Sequence, residues 1–155
     1  MMIVKKQKGL AAVEATIILP LLLLLLLVIG EFGRLFYQYN TLSKALRASV
    51  RTVSVSDGEN YLLDNALRDK VRNLILYGQE TTGTSVVLPG LVADDVTFSA
   101  PFNMPSTSED KYVTLIVSYD WSPMFTDNLN TFFGDSVSLS FPLNVSMTMR
   151  ILNDG

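Results

Sequence analysis

The chain has 155 residues, 48% hydrophobic and only 17% charged, with a formal net charge of −3 and neither histidine nor cysteine. That length leaves room for one domain plus a membrane segment. The missing residue types exclude imidazole acid–base chemistry, cysteine nucleophiles, thiolate metal sites, disulfides and a cysteine-linked lipid anchor.

The charge is unevenly spread. Lys5, Lys6 and Lys8 stand at the front, and Glu31 to Arg51 holds four basic residues against one acidic. From Thr52 onward there are five basic residues against thirteen acidic ones. A basic front and stem therefore carry an acidic head. Nucleic acid needs a basic patch, and none is legible, so no nucleic-acid contact is expected.

The first element in chain order is apolar. Leu10 to Gly30 would span about 31 Å as a helix, close to the hydrocarbon thickness of a bilayer. Its uncharged part runs only from Ala15 to Gly30. That is short enough to set a removable secretory signal against a retained membrane helix. Two features favour retention: the small-residue cleavage pattern is absent after Gly30, and the helical pattern continues beyond it. The denser basic cluster lies in front, which orients the N-terminus to the cytoplasm and exports the rest. Pro20 has no N–H to offer the Thr16 carbonyl, so a kink or local loosening is expected there. Membrane helices tolerate such a proline, and it also suits a subunit that must leave the bilayer.

After Gly30 the pattern turns amphipathic. Phe32, Leu35, Phe36, Tyr39, Leu42, Leu46, Val50 and Val53 recur at steps of three and four, which predicts one helix from about Leu10 to Val53. Its stripe is expected to pack on its own head domain or on other subunits. Ser56-Asp57-Gly58-Glu59 reads as a stop and restart, with Ser56 and Glu59 at capping-box spacing. Leu63, Leu67, Val71, Leu74 and Ile75 then predict a second helix ending near Gly78.

The remainder reads as strand and loop. Val86-Val87-Leu88 and Val96 to Ser99 are short strand candidates, and Ala100 to Asp110, with Pro101 and Pro105, is a long loop. Tyr112 to Trp121 places Val113, Leu115, Val117, Tyr119 and Trp121 on one face of a strand. Val137, Leu139, Phe141, Leu143, Val145, Met147 and Met149 alternate with polar residues, which predicts a sheet with one buried and one wet face. Pro142, on the wet parity, marks an edge, a bulge or a break into two strands. The fold class is α+β: a long N-terminal transmembrane and stem helix, a second helix and a small antiparallel sheet domain. The expected boundaries are 1–9 as a basic leader, 10–30 in the membrane, 31–55 as stem and 56–155 as head. So small a core is expected to need the stem helix for stability.

No catalytic constellation is legible, and no cofactor or metal is expected. Asp94-Asp95 and Glu109-Asp110 are adjacent carboxylates whose side chains point apart, as on a solvated surface. Asp127 to Asn130 has Leu129 at its third position and lacks the glycine and distal glutamate of a calcium loop. Phosphate loops and nucleophile elbows are missing.

The remaining anomaly is Lys8-Gly9-Leu10-Ala11-Ala12-Val13-Glu14, which sets a carboxylate near the start of a membrane helix. Together with Pro20, the leucine run, Glu31-Phe32-Gly33-Arg34 and Leu35-Phe36-Tyr37, it resembles the TadE-like family. These are minor pilins or pseudopilins of Tad (Flp) pilus systems. The resemblance covers about residues 8–52. It implies that a membrane prepilin peptidase cuts between Gly9 and Leu10, leaving the basic leader in the cytoplasm. It also implies that Glu14, then the fifth residue, pairs with the N-terminal amine of a neighbouring subunit. Opposite charges that are each costly in lipid cost less when they meet. Read without the resemblance, Glu14 is a residue at the headgroup boundary.

The implied partners are the membrane, other pilin subunits, the prepilin peptidase and the Tad assembly platform. The implied location is the inner membrane, crossed once, with entry into a pilus. The chain departs from the pattern of type IVa pilins in having leucine, not phenylalanine, after the glycine. Ser49 and Val50 also stand where small residues are more typical of the family. Two other readings stay open: a minor pseudopilin of type II secretion, and a membrane-anchored binding or sensor domain.

Overall fold

A computed structural model describes residues 7–56, 60, 62–107, 109–124, 128–130 and 134–152. Its helices are α1 (Gln7–Val55) and α2 (Asn65–Tyr77), followed by a 3-10 turn at Ala93–Asp95. The strands are β1 (Val96–Phe98), β2 (Phe102–Asn103), β3 (Lys111–Trp121), β4 (Asn128–Asn130), β5 (Ser136–Ser138) and β6 (Phe141–Arg150). This is the α+β arrangement that the patterning predicts. The chain forms two compact units, residues 1–36 and 37–155, and α1 contributes to both.

In the first unit α1 is long and apolar enough to cross a membrane, and the most apolar window of the helix has no residue buried by the rest of the chain. The helix runs without interruption through Pro20. The helix continues on both sides of it, so the missing N–H costs one bond and does not end the helix.

In the second unit α1 becomes a core element. Leu42, Leu46, Val50 and Val53 are fully buried along one line of the helix. Burying each such side chain stabilises the fold by about 1.5–3 kcal/mol. The upper part of the expected stripe does not join them: Phe32, Phe36 and Tyr39 are exposed. The buried positions instead begin at Gln38, which is 5% exposed. Ser49 is also fully buried, its hydroxyl bonded to the Ala45 carbonyl at 2.9 Å, and Val50 beside it packs in the core.

The second helix starts later than its apolar spacing suggests. Asp64 is its N-cap, accepting from the N–H groups of Ala66 (2.9 Å) and Leu67 (3.1 Å). Leu63 lies outside the helix and is largely exposed. An aspartate at this position satisfies two otherwise unpaired N–H groups, which outweighs one apolar residue at the right spacing. The expected capping partner Glu59, with Asp57 and Gly58, lies outside the described residues. The helix ends as predicted at Gly78, in the left-handed region at φ 70°, with its N–H bonded to the Leu74 carbonyl. Leu67, Val71, Ile75 and Leu76 face the core. The Arg68 and Arg72 guanidinium groups lie 5.5 and 5.4 Å from the Phe98 ring centre, which ties α2 to β1.

Residues 86–88 are not a strand. The Val87 N–H bonds the Leu76 carbonyl at 2.7 Å, so it serves the end of α2, while Leu88 and Leu91 plug the core from a loop. The apolar signal there reported burial, not pairing. The expected loop 100–110 contains the two-residue strand β2.

The main sheet is centred on β3, which pairs antiparallel with β1 and β2 along one edge and with β6 along the other. Val113, Leu115, Val117, Tyr119 and Trp121 are all buried, as the alternation predicts. Registered pairs add to the ladder: Trp121 against Phe141 with ring centres 5.2 Å apart, Phe102 against Tyr112 at 6.2 Å, and the Thr114 and Thr148 hydroxyls at 2.7 Å. The long alternating run from Val137 to Met149 is two strands, because the strand pairing is interrupted at Leu139 and Ser140 although the alternation is not. Its first part, β5, pairs with β4 in a separate two-stranded sheet. In β6 only Val145 is buried among the core-parity residues, and Leu143, Met147 and Met149 are half-buried. An edge strand has a neighbour on one side only, so its inward face is incompletely covered.

The last turn of α1 is joined to the end of β6. The Ser54 hydroxyl donates to the Arg150 carbonyl, and the Leu152 N–H donates to the Ser54 carbonyl at 3.0 Å.

Candidate functional site: the start of the first helix

The residues singled out in the sequence all fall in the first unit, on α1. Gly9 and Leu10 lie in its first turn, where the first N–H groups of any helix lack partners within the helix. Around Gly9 there is open space: a side-chain carbon added there would meet nothing within 4 Å. Leu10 is 74% exposed. A peptidase needs an extended peptide, and a bond in the first turn is among the easiest in a helix to unwind.

Glu14 follows one turn later. Its side chain is exposed and, among the described residues, has no hydrogen-bond or ion-pair partner. It shares a shallow strip of the helix surface with Ala11, Ala15, Ile18, Leu19 and Leu22. Those positions recur at three- and four-residue steps, which makes them one face. Side chains on a helix lean toward its N-terminus, so the Glu14 carboxylate leans back over the turn that contains Leu10. The rise from residue 10 to residue 14 is about 6 Å. Ala11 and Ala15 beside Glu14 leave room for a second backbone to approach closely. The small-residue spacing of these alanines was present in the sequence and carries this information.

Pro20 is exposed and leaves the Thr16 carbonyl without its usual N–H. The Thr16 hydroxyl meanwhile bonds the Ala12 carbonyl one turn back, at 2.8 Å. The helix is thus altered at two successive turns below the leucine run, one by a missing donor and one by an added donor.

At the far end of the apolar run, Arg34 turns back on Glu31. Its Nη2 and Nε each lie 3.2 Å from Glu31 Oε2. The Glu31 side chain is 16% exposed. The pair cancels two charges at the edge of a membrane-length segment, where each alone would be costly. Opposite charges three residues apart are the signal by which the sequence announces it.

The carboxylate pairs of the head have local roles or none. Asp95 accepts from the Val92 N–H at 2.9 Å, and Asp110 pairs with Arg150 at 3.1 Å. Asp94 and Glu109 are exposed. Among the described residues no group of three potential ligands is placed to hold a metal ion. Asp127, the start of the calcium-like stretch, lies outside the described residues.

No curated protein and no solved structure matches the chain. The head therefore stands on its own geometry. The first helix does not: the family model described as TadE-like protein matches residues 9–51, nearly all of α1, and over that stretch the chain is similar to that family.

Proposed function

We propose that the protein is a minor pilin or pseudopilin of a Tad (Flp) pilus system. It is a structural subunit, inserted once in the inner membrane with its N-terminus in the cytoplasm and residues 56–155 exported. Its maturation is hydrolysis of the Gly9–Leu10 amide by a prepilin peptidase, giving a Gly9 carboxylate on the leader and an ammonium group on Leu10. The observation that carries this reading is the exposed Glu14, without a partner among the described residues, set one turn after that bond at the start of a helix whose most apolar window has no buried residue. The TadE-like match over the same residues supports it.

In lipid an isolated carboxylate and an isolated ammonium are each expensive. When a neighbouring subunit brings its Leu10 ammonium level with Glu14, both costs fall together. Ala11 and Ala15 let the two helices approach, and Pro20 loosens the segment that must shift between bilayer and assembly.

Mass spectrometry of the protein from membranes of cells that contain the peptidase is expected to find a mature chain beginning at Leu10. An intact Met1, or a chain beginning after Gly30, overturns the proposal. Gly9→Ala is expected to abolish processing. Glu14→Ala is expected to leave processing intact and to remove assembled pili.

A further inference from the structure

The outer edge of β6 is open, and its chemistry selects what can close it. The Ile151 N–H donates inward to the Lys111 carbonyl at 2.8 Å, in register with the β3–β6 ladder. Odd-numbered residues of β6 therefore direct N–H and C=O to β3, and even-numbered ones direct them outward. At the end of the strand the outward groups are used, by Ser54 at the Arg150 carbonyl and the Leu152 N–H. At Pro142, Asn144, Ser146 and Thr148 no described residue bonds the outward backbone groups, and all four residues are exposed. Pro142 fits this edge because the N–H it lacks would point away from β3.

Exposed edges are normally guarded by charge or by shortness. This one is ten residues long, and the chain carries no charge from Ser136 to Met149. Beside it, on the inward face, Leu143, Met147 and Met149 are only half-buried.

We propose that this edge is where two copies of the chain pair, strand β6 antiparallel to strand β6, forming one sheet through both. Three observations favour a second copy. An antiparallel pair of identical strands matches outward even positions with outward even positions. The open window from Asn144 to Thr148, bounded by Pro142 and the tie at Arg150, is symmetric about Ser146. The region from Thr52 onward is strongly acidic, so most of its surfaces repel their own kind, whereas this strand does not. Centred on Ser146, the pairing sets Asn144 opposite Thr148 and brings the half-buried Leu143 and the buried Val145 beside Met149 and Met147 of the second copy. The contact is independent of the events at Gly9 and Glu14.

The chain has no cysteine, so single cysteines report the contact directly. In the centred register the two Ser146 Cα atoms are about 5.5 Å apart, within disulfide reach. Full-length Ser146→Cys, mildly oxidised in native membranes, is expected to give a disulfide-linked dimer. Ser118→Cys, on the same exposed face but on the inner strand β3, is expected to give none. Adding Asn144→Pro to Ser146→Cys removes an outward N–H without touching the β3 ladder, and is expected to lower the dimer fraction about tenfold. A monomeric Ser146→Cys, equal crosslinking of Ser118→Cys, an unchanged dimer with Asn144→Pro, or an adduct with a protein of another size each overturns the proposal. Thermal unfolding of the reduced variants verifies that the head remains folded.

Discussion

Residues 10–29 and residues 38–53 lie on one helix, yet they answer to different surroundings. The first run leaves Leu10, Ile17, Leu23 and Ile29 more than half exposed, whereas the second buries Leu42, Leu46, Val50 and Val53 completely. Beyond Thr16 the first is apolar all round, and the second is apolar on one stripe. A helix apolar on every side needs an apolar solvent, and a striped one needs a folded partner. Helix formation is common to both, so the distribution of apolar residues around the axis, and not their number, decides which surroundings each half requires.

The largest expected effect breaks this comparison at its centre. Leu46→Ala should destabilise residues 37–155 by about 2–5 kcal/mol, since it opens a cavity in a packed core. Leu23→Ala should leave the same transition unmoved, because Leu23 is 51% exposed and lies outside the unit whose core unfolds. Urea unfolding in detergent micelles, followed by Trp121 fluorescence, measures both. Equal effects would show that the two halves do not differ in the way described.

A smaller effect sharpens the contrast with α2, which is short and lies in water on its outer face. Asp64→Ala should cost about 1 kcal/mol in the same measurement, and Asp64→Ser should restore most of it. The smallest effect lies where the two halves of α1 meet. A double-mutant cycle on Glu31→Gln and Arg34→Gln should give a coupling of about 0.3–0.5 kcal/mol in micelles, the range for a helical pair at this spacing.

The periodicities made much of this fold legible. Three- and four-residue steps gave α1 and the body of α2, and strict alternation gave β3, because in each case a buried face imposes its spacing on the residues. The start of α2 was hidden because Ser56 and Leu63 both mimic helix signals, and only the bonds from Ala66 and Leu67 to Asp64 distinguish the cap in use. Residues 86–88 show a different limit. An apolar triplet says that something is buried, not how, and here it serves a helix end and a loop plug. The alternation through residues 137–149 concealed a break at Leu139 and Ser140, since parity survives an interruption of two residues. At the candidate site, the glycine junction, Glu14 and Pro20 were legible as residue types. That the carboxylate has no partner among the described residues, and shares its face with Ala11 and Ala15, is visible only on the helix.

The bonds between Ser54 and the segment Arg150–Leu152 have a mechanical consequence. They fasten the last turn of the long helix to the final strand, and that strand is held to β3 by ten registered residue pairs along its length. Tension on the stem in this unit therefore reaches the sheet at one end of β6, through the two bonds at Ser54. A ladder loaded along its strands shares the force among its bonds, whereas one peeled from an end gives them up in turn.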